Sequence, residues 1–166
     1  MARARAVVRV ILAVGEGKAE CVLLHQIKAL YVGRGLGFTV KVLGGYGKGG
    51  KGVIDYAIAR TRDIEYDALI ALLDTDADWD DAQRTRANVN GIVVVESAPC
   101  LEAWLLDIHR LSGERKSAAH KAEFERCFGG PAHDRQVIAR HFGLEILNEA
   151  RLRVQPLEQL LKSLGL

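Results

Sequence analysis

The sequence predicts an α/β fold, in which a central parallel sheet of about four strands is flanked by helices. Short runs rich in Val, Ile and Leu alternate along the chain with longer segments whose apolar residues recur at helical spacing. The apolar run at residues 68–73 shows no polar alternation, which is typical of a strand that is buried on both faces. Parallel strands joined by right-handed crossover helices account for this order of segments.

Each predicted element follows from a local pattern. Strands are predicted at residues 6–14, 38–43, 66–73 and 91–95, where β-branched and other apolar residues dominate. Helical periodicity marks residues 18–31 and 53–64, and Pro99 suits the start of a further helix, whose first residues are 100–106 and whose apolar face includes Ile108. Residues 80–89 are polar and are predicted to form a short helix or a loop.

After Arg110 the alternation of strands and helices gives way to helices alone. Residues 112–121 are polar, and helical segments are predicted at residues 122–128, 132–142 and 156–164. We therefore predict one domain, with an α/β core over residues 1–110 and a helical C-terminal extension of the same domain over residues 111–166.

The composition is that of an ordinary globular protein, with 49% hydrophobic and 27% charged residues in a chain of 166. The formal net charge is only +2, so any affinity for nucleic acid must come from a local basic patch or from a bound metal. Cys21, Cys100 and Cys127 lie far apart and form no CxxC pair. This spacing argues against a disulfide framework or a structural zinc site and favours buried thiols.

Neither a leader peptide nor a membrane span is predicted. Residues 7–14 hold a short apolar run that Arg9 interrupts. No apolar run in the sequence approaches the roughly 20 residues of a membrane-spanning helix. We therefore expect a cytoplasmic protein.

Three aspartates spaced two apart stop the apolar run at residues 68–73. Asp74 and Asp76 are predicted to point to the same side, because alternate residues of an extended segment share a face. Asp78 lies nearer the following helix and is assigned to capping and to solvent. An isolated pair of aspartates is more often a helix cap than a site, so its meaning depends on the rest of the chain.

Acidic groups from two other strand ends are expected at the same edge of the sheet. Glu16 lies in a glycine-flanked turn after the first strand, and either Glu96 or Glu102 follows the fourth. In parallel sheets this edge is the mouth of the ligand crevice. Crowded carboxylates repel one another unless a cation or a proton relieves them, and their oxygens suit Mg²⁺ or Mn²⁺. We predict that Glu16, Asp74 and Asp76 hold such a metal and that Glu102 assists in catalysis.

A glycine-rich loop at residues 44–52 carries Lys48 and Lys51. It is not a Walker A loop, because its spacing differs and no Ser or Thr follows the lysine. Glycine lets backbone N–H groups approach an anion, and a helix follows, so both lysines are predicted to bind substrate phosphates. A flexible surface loop is the alternative.

Two further residues are assigned auxiliary roles. Glu20 lies in the first turn of the first helix, where its carboxylate either assists the site or only complements the helix dipole. His109 lies near the end of the helix that begins at residue 100. It either takes a proton or a phosphate contact, or is a partly exposed histidine at the end of a helix.

Taken together, these motifs resemble the Toprim domain, and within it the RloB-like family. The family's E-G-x-x-E start is similar to residues 16–20, its Asp-x-Asp to residues 74–76, and its S-x-P-x-x-E-x-W-L-L segment to residues 97–106. The glycine–lysine loop is similar to the family's G-K-G stretch. The resemblance covers roughly residues 6–110, and the segment at residues 97–106 is its most specific part.

Membership of this family implies a Toprim-like, and so Rossmann-like, fold with a divalent metal at Glu16, Asp74 and Asp76. It also implies a nuclease activity linked to bacterial defence against phage, since the OLD nucleases share the Toprim domain. The chain departs from the family's pattern after Leu106, where the histidine falls late in Asp-Ile-His. Its C-terminal helical part is also short.

The leading hypothesis is a Mg²⁺- or Mn²⁺-dependent nuclease, a hydrolase that cleaves phosphodiester bonds of DNA or RNA. The alternative is a catalytically inactive module that binds nucleic acid or a partner protein and keeps a structural cation. A haloacid dehalogenase-like phosphatase also carries a D-x-D motif, but after its first strand and with further motifs that are not evident here. A homodimer or a partner protein of a defence system is also considered, and exposed apolar residues on the C-terminal helix would indicate the dimer.

Overall fold

The computed structural model describes residues 8–33, 35–44, 48–75, 78–111 and 113–166. Within these residues the chain forms four strands and eight helices. The strands are β1 (Arg9–Gly15), β2 (Phe38–Gly44), β3 (Ala68–Asp74) and β4 (Ile92–Ser97), and they run parallel in a sheet of order β2-β1-β3-β4. The predicted α/β fold, with a parallel sheet and a helical C-terminal extension, is confirmed.

The helices first connect the strands and then continue alone to the C-terminus. The crossover helices are α1 (Lys18–Tyr31), α2 (Gly49–Arg60) and α3 (Asp81–Val89). After β4 come α4 (Leu101–Ile108), α5 (Ser117–Phe128), α6 (Arg135–His141), α7 (Leu144–Ala150) and α8 (Gln155–Ser163). Over the described residues, no helix is long and apolar enough to cross a membrane.

Side-chain alternation along the two central strands divides the core into two layers. The major layer packs the sheet against α1 and the C-terminal helices, and it contains Ile11, Ala13, Ile70 and Leu72. The minor layer packs the other face against α2 and α3, and it contains Leu12, Val14, Ala71 and Leu73. Both central strands are therefore buried on both faces, as their unbroken apolar sequence predicts.

The C-terminal helices belong to the major layer. Phe124, Phe128 and Phe142 lie with ring centroids 4.7 to 6.0 Å apart and are buried. On α8 the apolar side chains Leu157, Leu160 and Leu161 are buried in the chain's own core. These leucines therefore give no indication of a dimer that forms through the C-terminal helix.

Several element boundaries differ from the predicted ones because tertiary packing overrides local propensity. Helix α2 begins at Gly49, inside the glycine-rich loop, rather than at residue 53. Helix α5 begins at Ser117, within the segment taken as polar and irregular. Helix α7 was not predicted, since its seven residues give a weak periodic signal, but Leu147 and Ala150 are fully buried.

All three cysteines are free thiols, in agreement with the absence of a disulfide framework. Cys100 is buried, as expected. Cys21 and Cys127 are only half-buried, so the expectation of buried thiols is wrong for these two. Burial raises the pKa of Cys100 to about 11, which keeps this thiol protonated and unreactive near neutral pH.

Candidate functional site

Glu16 and Asp74 meet at the carboxyl edge of the sheet, where β1 and β3 end side by side. Gly15 is the register partner of Leu72, and the Glu16 N–H extends the ladder by donating to the Leu72 carbonyl at 3.0 Å. The Asp74 N–H in turn donates to Glu16 Oε2 at 2.8 Å. The predicted convergence of these two carboxylates is therefore seen in the backbone pairing itself.

Asp74 is also held by the start of α4. Its Oδ1 accepts a hydrogen bond from the Leu101 N–H at 2.9 Å. Leu101 is the first residue of α4, where unsatisfied N–H groups and the helix dipole favour a negative charge. Asp74 thus links the end of β3 to the helix that follows β4.

A pocket of about 480 Å³, here called the acidic pocket, opens beside this pair. Its acidic lining comes from the β1–α1 turn, from β3 and from the first turns of α1 and α4: Glu16, Glu20, Asp74, Glu102 and, at its edge, Glu125. Glu102 is 8% exposed and Glu20 6% exposed, so two of these carboxylates lie deep in the protein. The structure therefore brings together four of the predicted site residues.

Glu20 combines a structural and an electrostatic role. Its Oε2 accepts a hydrogen bond from the Gly17 N–H at 2.9 Å, which is the half of a capping box that the third helical residue supplies at the start of α1. Burial raises the pKa of the Glu20 carboxyl to about 7, and the negative charges of Glu16 and Glu102 act in the same direction. Hydrogen bonds from the backbone N–H groups of Glu20 and Gly17 oppose this rise without cancelling it.

Basic side chains that the sequence reasoning missed also line the acidic pocket. They are Lys18, directly after the Glu16 turn, Lys121 on α5 and His133 before α6. Lys18 lies within the motif at residues 16–20, so its position beside Glu16 was open to prediction. Lys121 and His133 carry no such signal, because only the folding of the C-terminal extension brings them to this pocket.

The chemistry of the acidic pocket suits the metal predicted at this site, whereas the arrangement of its described side chains does not yet form a metal-binding group. Carboxylate oxygens are the donors that Mg²⁺ and Mn²⁺ prefer, and the acidic pocket supplies them. Within the described part of the chain, however, no group of three or more His, Cys, Asp or Glu side chains is arranged to hold a metal ion. Asp76, the third predicted ligand, lies outside the described residues. Metal binding stays a prediction.

Lys48 and Lys51, the predicted phosphate ligands, line a different pocket. This lysine pocket of about 700 Å³ is bordered by α2, α3 and the segment between β3 and α3, and its lining includes Asp55, Asp78 and Trp79. It lies on the minor-layer side, whereas the acidic pocket lies beside α1 and α4. The structure therefore does not bring these lysines together with the predicted catalytic carboxylates.

The glycines of this loop have a packing role that the sequence did not reveal. A Cβ on Gly50 would lie 2.6 Å from a ring carbon of Trp79, and a Cβ on Gly52 would lie 2.3 Å from Lys48 Cβ. Both distances are too short for any other residue, so glycine is required by the close approach of the chain. Residues 45–47 of the loop lie outside the described residues.

Asp80, rather than Asp78, caps α3. The Asp80 carboxylate accepts a hydrogen bond from the Gln83 N–H at 2.9 Å, as an N-cap does. Asp78 is exposed, has a positive φ of 52° and approaches Gly49 at the start of α2. The assignment of Asp78 to capping is therefore wrong, while its exposure to solvent is as expected.

The structure also decides between Glu96 and Glu102. Glu96 points to the minor-layer side of β4, where its Oε1 accepts hydrogen bonds from Trp79 Nε1 at 2.8 Å and Arg84 Nε at 2.6 Å. The hydrogen bond from Arg84 is the main cause that lowers the pKa of Glu96; the bond from Trp79 adds to it, and burial opposes it without cancelling it. Because side chains alternate along β4, Ser97 and not Glu96 faces the major layer, where it accepts a hydrogen bond from Trp104. Only Glu102 reaches the acidic pocket.

His109 lies at the C-terminal end of α4, whereas Glu102 lies in the first turn of that helix. Its ring packs 4.9 Å from Phe128 and 5.1 Å from Phe142, between centroids, and Nε2 lies 2.8 Å from the His141 carbonyl oxygen. Burial lowers the pKa of His109. The structure thus favours the reading of His109 as a packed helix-end residue, and His109 does not line the acidic pocket.

The fold and the pocket define a protein of the α/β class that gathers carboxylates at the carboxyl edge of a parallel sheet. No protein-family model, curated protein or solved structure matches the chain. The likeness of its motifs to the RloB-like family and the Toprim domain therefore stays a prediction from the sequence.

Proposed function

We propose that this protein is a Mg²⁺- or Mn²⁺-dependent phosphodiesterase that acts on nucleic acid. The observation that carries the proposal is the convergence of Glu16, Asp74 and Glu102 in one pocket from three separate segments of the chain. Acidic residues that serve only solubility are normally exposed and need no fixed partner. Here Glu102 is buried, and Asp74 is held by a backbone N–H group of another element. This arrangement is typical of a built site.

The roles proposed for the residues follow from their positions. Glu16, Asp74 and Asp76 would hold the metal, which when bound supplies an activated water and stabilises the leaving oxygen of a phosphodiester. The N–H groups of Asp74 and Leu101 hold the carboxylates of Glu16 and Asp74 in one orientation before any ligand enters. Glu102 and Glu20 are auxiliary carboxylates at the buried side of the pocket.

The basic residues of the acidic pocket support a substrate that carries negative charge. Lys18 is exposed and lines the pocket together with Lys121 and His133. A phosphodiester that approaches four carboxylates needs such cations, because like charges would otherwise repel it. In this proposal they take the phosphate-binding role that the sequence assigns to Lys48 and Lys51.

The test is a cleavage assay with Mn²⁺ or Mg²⁺ on single-stranded DNA, duplex DNA and RNA. Asp74→Asn and Glu16→Gln are expected to lower the rate at least about 100-fold, since each removes a charged ligand but keeps the size of the side chain. EDTA should abolish cleavage by the wild-type protein.

Glu96→Gln is the matched control, because it neutralises a carboxylate at the end of the neighbouring strand that points away from the acidic pocket. It should retain wild-type cleavage. Unchanged, metal-dependent cleavage by Asp74→Asn would contradict the proposed site.

A catalytically inactive binding module is the second candidate. It is favoured by one observation: the described carboxylates are not arranged as a ready metal-binding group. Binding of nucleic acid without turnover, on all three substrates and with either metal, would support this candidate against the nuclease.

A role in bacterial defence against phage rests on the resemblance of the sequence motifs alone. If that role is correct, a bacterium that expresses the chain, together with any partner it needs, should restrict phage growth. The Asp74→Asn variant at equal expression should lose this protection, and plaque counts measure both.

A further inference from the structure

One side of α1 carries three basic residues. Lys18, His25 and Lys28 occupy positions i, i+7 and i+10 of this helix, which places them along the same side. Lys18 and His25 are exposed, and Lys28 is half-buried. The side chains on the opposite side of α1, including Leu23 and Ile27, are buried in the major layer.

Arg135 on α6 extends this row. The Gln26 side chain donates a hydrogen bond to the Phe142 carbonyl at 3.0 Å and joins the middle of α1 to the end of α6. Burial is the main cause that lowers the pKa of His25, and the positive charges of Arg135 and Lys28 lower it further. Both cations therefore act on the same imidazole. We call the surface formed by Lys18, His25, Lys28 and Arg135 the basic face.

The cations of the basic face are not held in salt bridges by the described carboxylates. Within the described residues, Lys18, Lys28 and Arg135 form no ion pair. By contrast, seven described arginines do: Arg84, Arg86, Arg110, Arg115, Arg126, Arg151 and Arg153. The nearby Asp134 carboxylate is used to cap α6, where it accepts hydrogen bonds from the N–H groups of Gln136 and Val137.

The basic face leads directly to the acidic pocket. Lys18 belongs to both, and His133 lines the pocket just before Arg135 begins α6. Lys121 adds a further cation at the pocket. A row of positive charges therefore ends at a group of carboxylates. This arrangement suits a long anion, one segment of which enters the pocket while the rest lies along the basic face.

We propose that the basic face binds the phosphodiester backbone of a nucleic acid and guides one phosphate into the acidic pocket. This inference rests on the proposed function for the choice of nucleic acid as the polyanion. Lysine and arginine contact phosphates without regard to sequence, so the face contributes affinity and direction rather than base specificity. It also shifts the phosphate-binding role from the lysine pocket to α1 and α6.

The experiment measures the affinity for a fluorescent oligonucleotide at several salt concentrations, in EDTA so that cleavage does not interfere. The variant Lys28→Glu/Arg135→Glu is expected to bind at least about tenfold more weakly at low salt. Its slope of log affinity against log salt should be smaller by about 1 to 2, because two phosphate contacts are lost. The milder Lys28→Gln/Arg135→Gln should lie between this variant and the wild type.

The matched control is Arg9→Glu/Arg62→Glu, which makes the same change in net charge at exposed positions, one at the start of β1 and one after the end of α2. It should bind almost as the wild type does. The variant Lys48→Glu/Lys51→Glu tests the alternative that the lysine pocket binds the oligonucleotide. If that variant loses affinity and the basic-face variant does not, the inference is overturned.

Further measurements test this inference separately from the proposed function. The pKa of His25, followed by NMR, should rise when the oligonucleotide binds, because a phosphate offsets the charges of Lys28 and Arg135. If binding depends on the basic face but no substrate is cleaved, the inference stands and the nuclease proposal fails. If the basic-face residues are needed for binding to anionic phospholipid vesicles but not to the oligonucleotide, the inference is overturned.

Discussion

The two faces of the sheet carry pockets of opposite construction. On the major-layer side, the acidic pocket combines two buried carboxylates, Glu20 and Glu102, with two half-buried ones, Glu16 and Asp74. Backbone N–H groups, one of them at the start of α4, orient the half-buried pair. On the minor-layer side, the lysine pocket is formed by exposed side chains at the start of α2, and close contacts with Trp79 and Lys48 explain its glycines. The acidic pocket therefore holds charges in defined positions, whereas the glycines of the lysine pocket allow close packing of the chain.

The difference follows from how each face is covered. The major layer is built from α1 and the C-terminal helices, which add depth around Glu20 and Glu102. Of the described helices, α2 and α3 alone contribute to the layer on the other face. A motif at the edge of a sheet therefore gains a buried site only where enough of the chain is available to enclose it.

The largest expected effect concerns the C-terminal extension that encloses the acidic side. Phe124 is fully buried and packs against Phe128 and Phe142. Phe124→Ala should lower the free energy of unfolding by about 3–5 kcal/mol, because it leaves a cavity in the major layer. Urea denaturation followed by circular dichroism measures this loss.

Val89→Ala is the control, because Val89 on the minor-layer helix α3 is 79% exposed. It should change the free energy of unfolding by less than about 0.5 kcal/mol. Two separate unfolding transitions in the wild-type protein would contradict a shared core, and so would a loss of under about 1 kcal/mol for Phe124→Ala.

The next largest effect is the pH dependence of the unfolding free energy that Glu20 causes in the acidic pocket. Its pKa is about 7 in the folded protein against an ordinary value of 4.5, so the folded state holds this proton more tightly than the unfolded state. The stability contributed by protonated Glu20 is complete below pH 4.5 and is lost as the pH rises to about 7 and beyond. The loss amounts to about 3 kcal/mol, since a tenfold change in proton affinity corresponds to about 1.4 kcal/mol.

Glu20→Gln keeps the oxygen that accepts the Gly17 N–H and removes the titration. In EDTA, this variant should therefore be more stable than the wild type at pH 8 and nearly equal to it at pH 4.5. Thermal melts across this range provide the measurement. Parallel stability curves for the two proteins would show that burial does not raise the pKa of Glu20 as described.

The smallest effect tests the minor-layer side of the acidic motif. Asp80→Ala removes the side chain that caps α3 and should cost about 1 kcal/mol of unfolding free energy. Asp80→Asn keeps a capping oxygen and should cost much less, and Asp78→Asn should be close to neutral because that side chain is exposed. Denaturant midpoints rank the three variants. If Asp78→Asn is the most damaging, the assignment of the cap is wrong.

Much of the candidate site was open to prediction, because it depends on where strands end. Glu16 and Asp74 follow apolar runs whose parallel pairing brings them to the same edge, where the Asp74 N–H donates a hydrogen bond to the Glu16 carboxylate. The exclusion of Glu96 was also within reach, since alternation along β4 turns it away from the major layer. The positions of Lys121 and His133 were not, because they arrive with helices that are distant in sequence.

The sequence by itself determined the α/β class, the four strands and the gathering of acidic residues at one sheet edge. Hydrophobic periodicity is a local property, so it survives in the sequence without knowledge of the fold. Only the tertiary structure decided that Glu102 and not Glu96 joins Glu16 and Asp74, and that Lys48 and Lys51 line another pocket. Those outcomes depend on which helices cover each face, and that choice is made by the packing of the whole core.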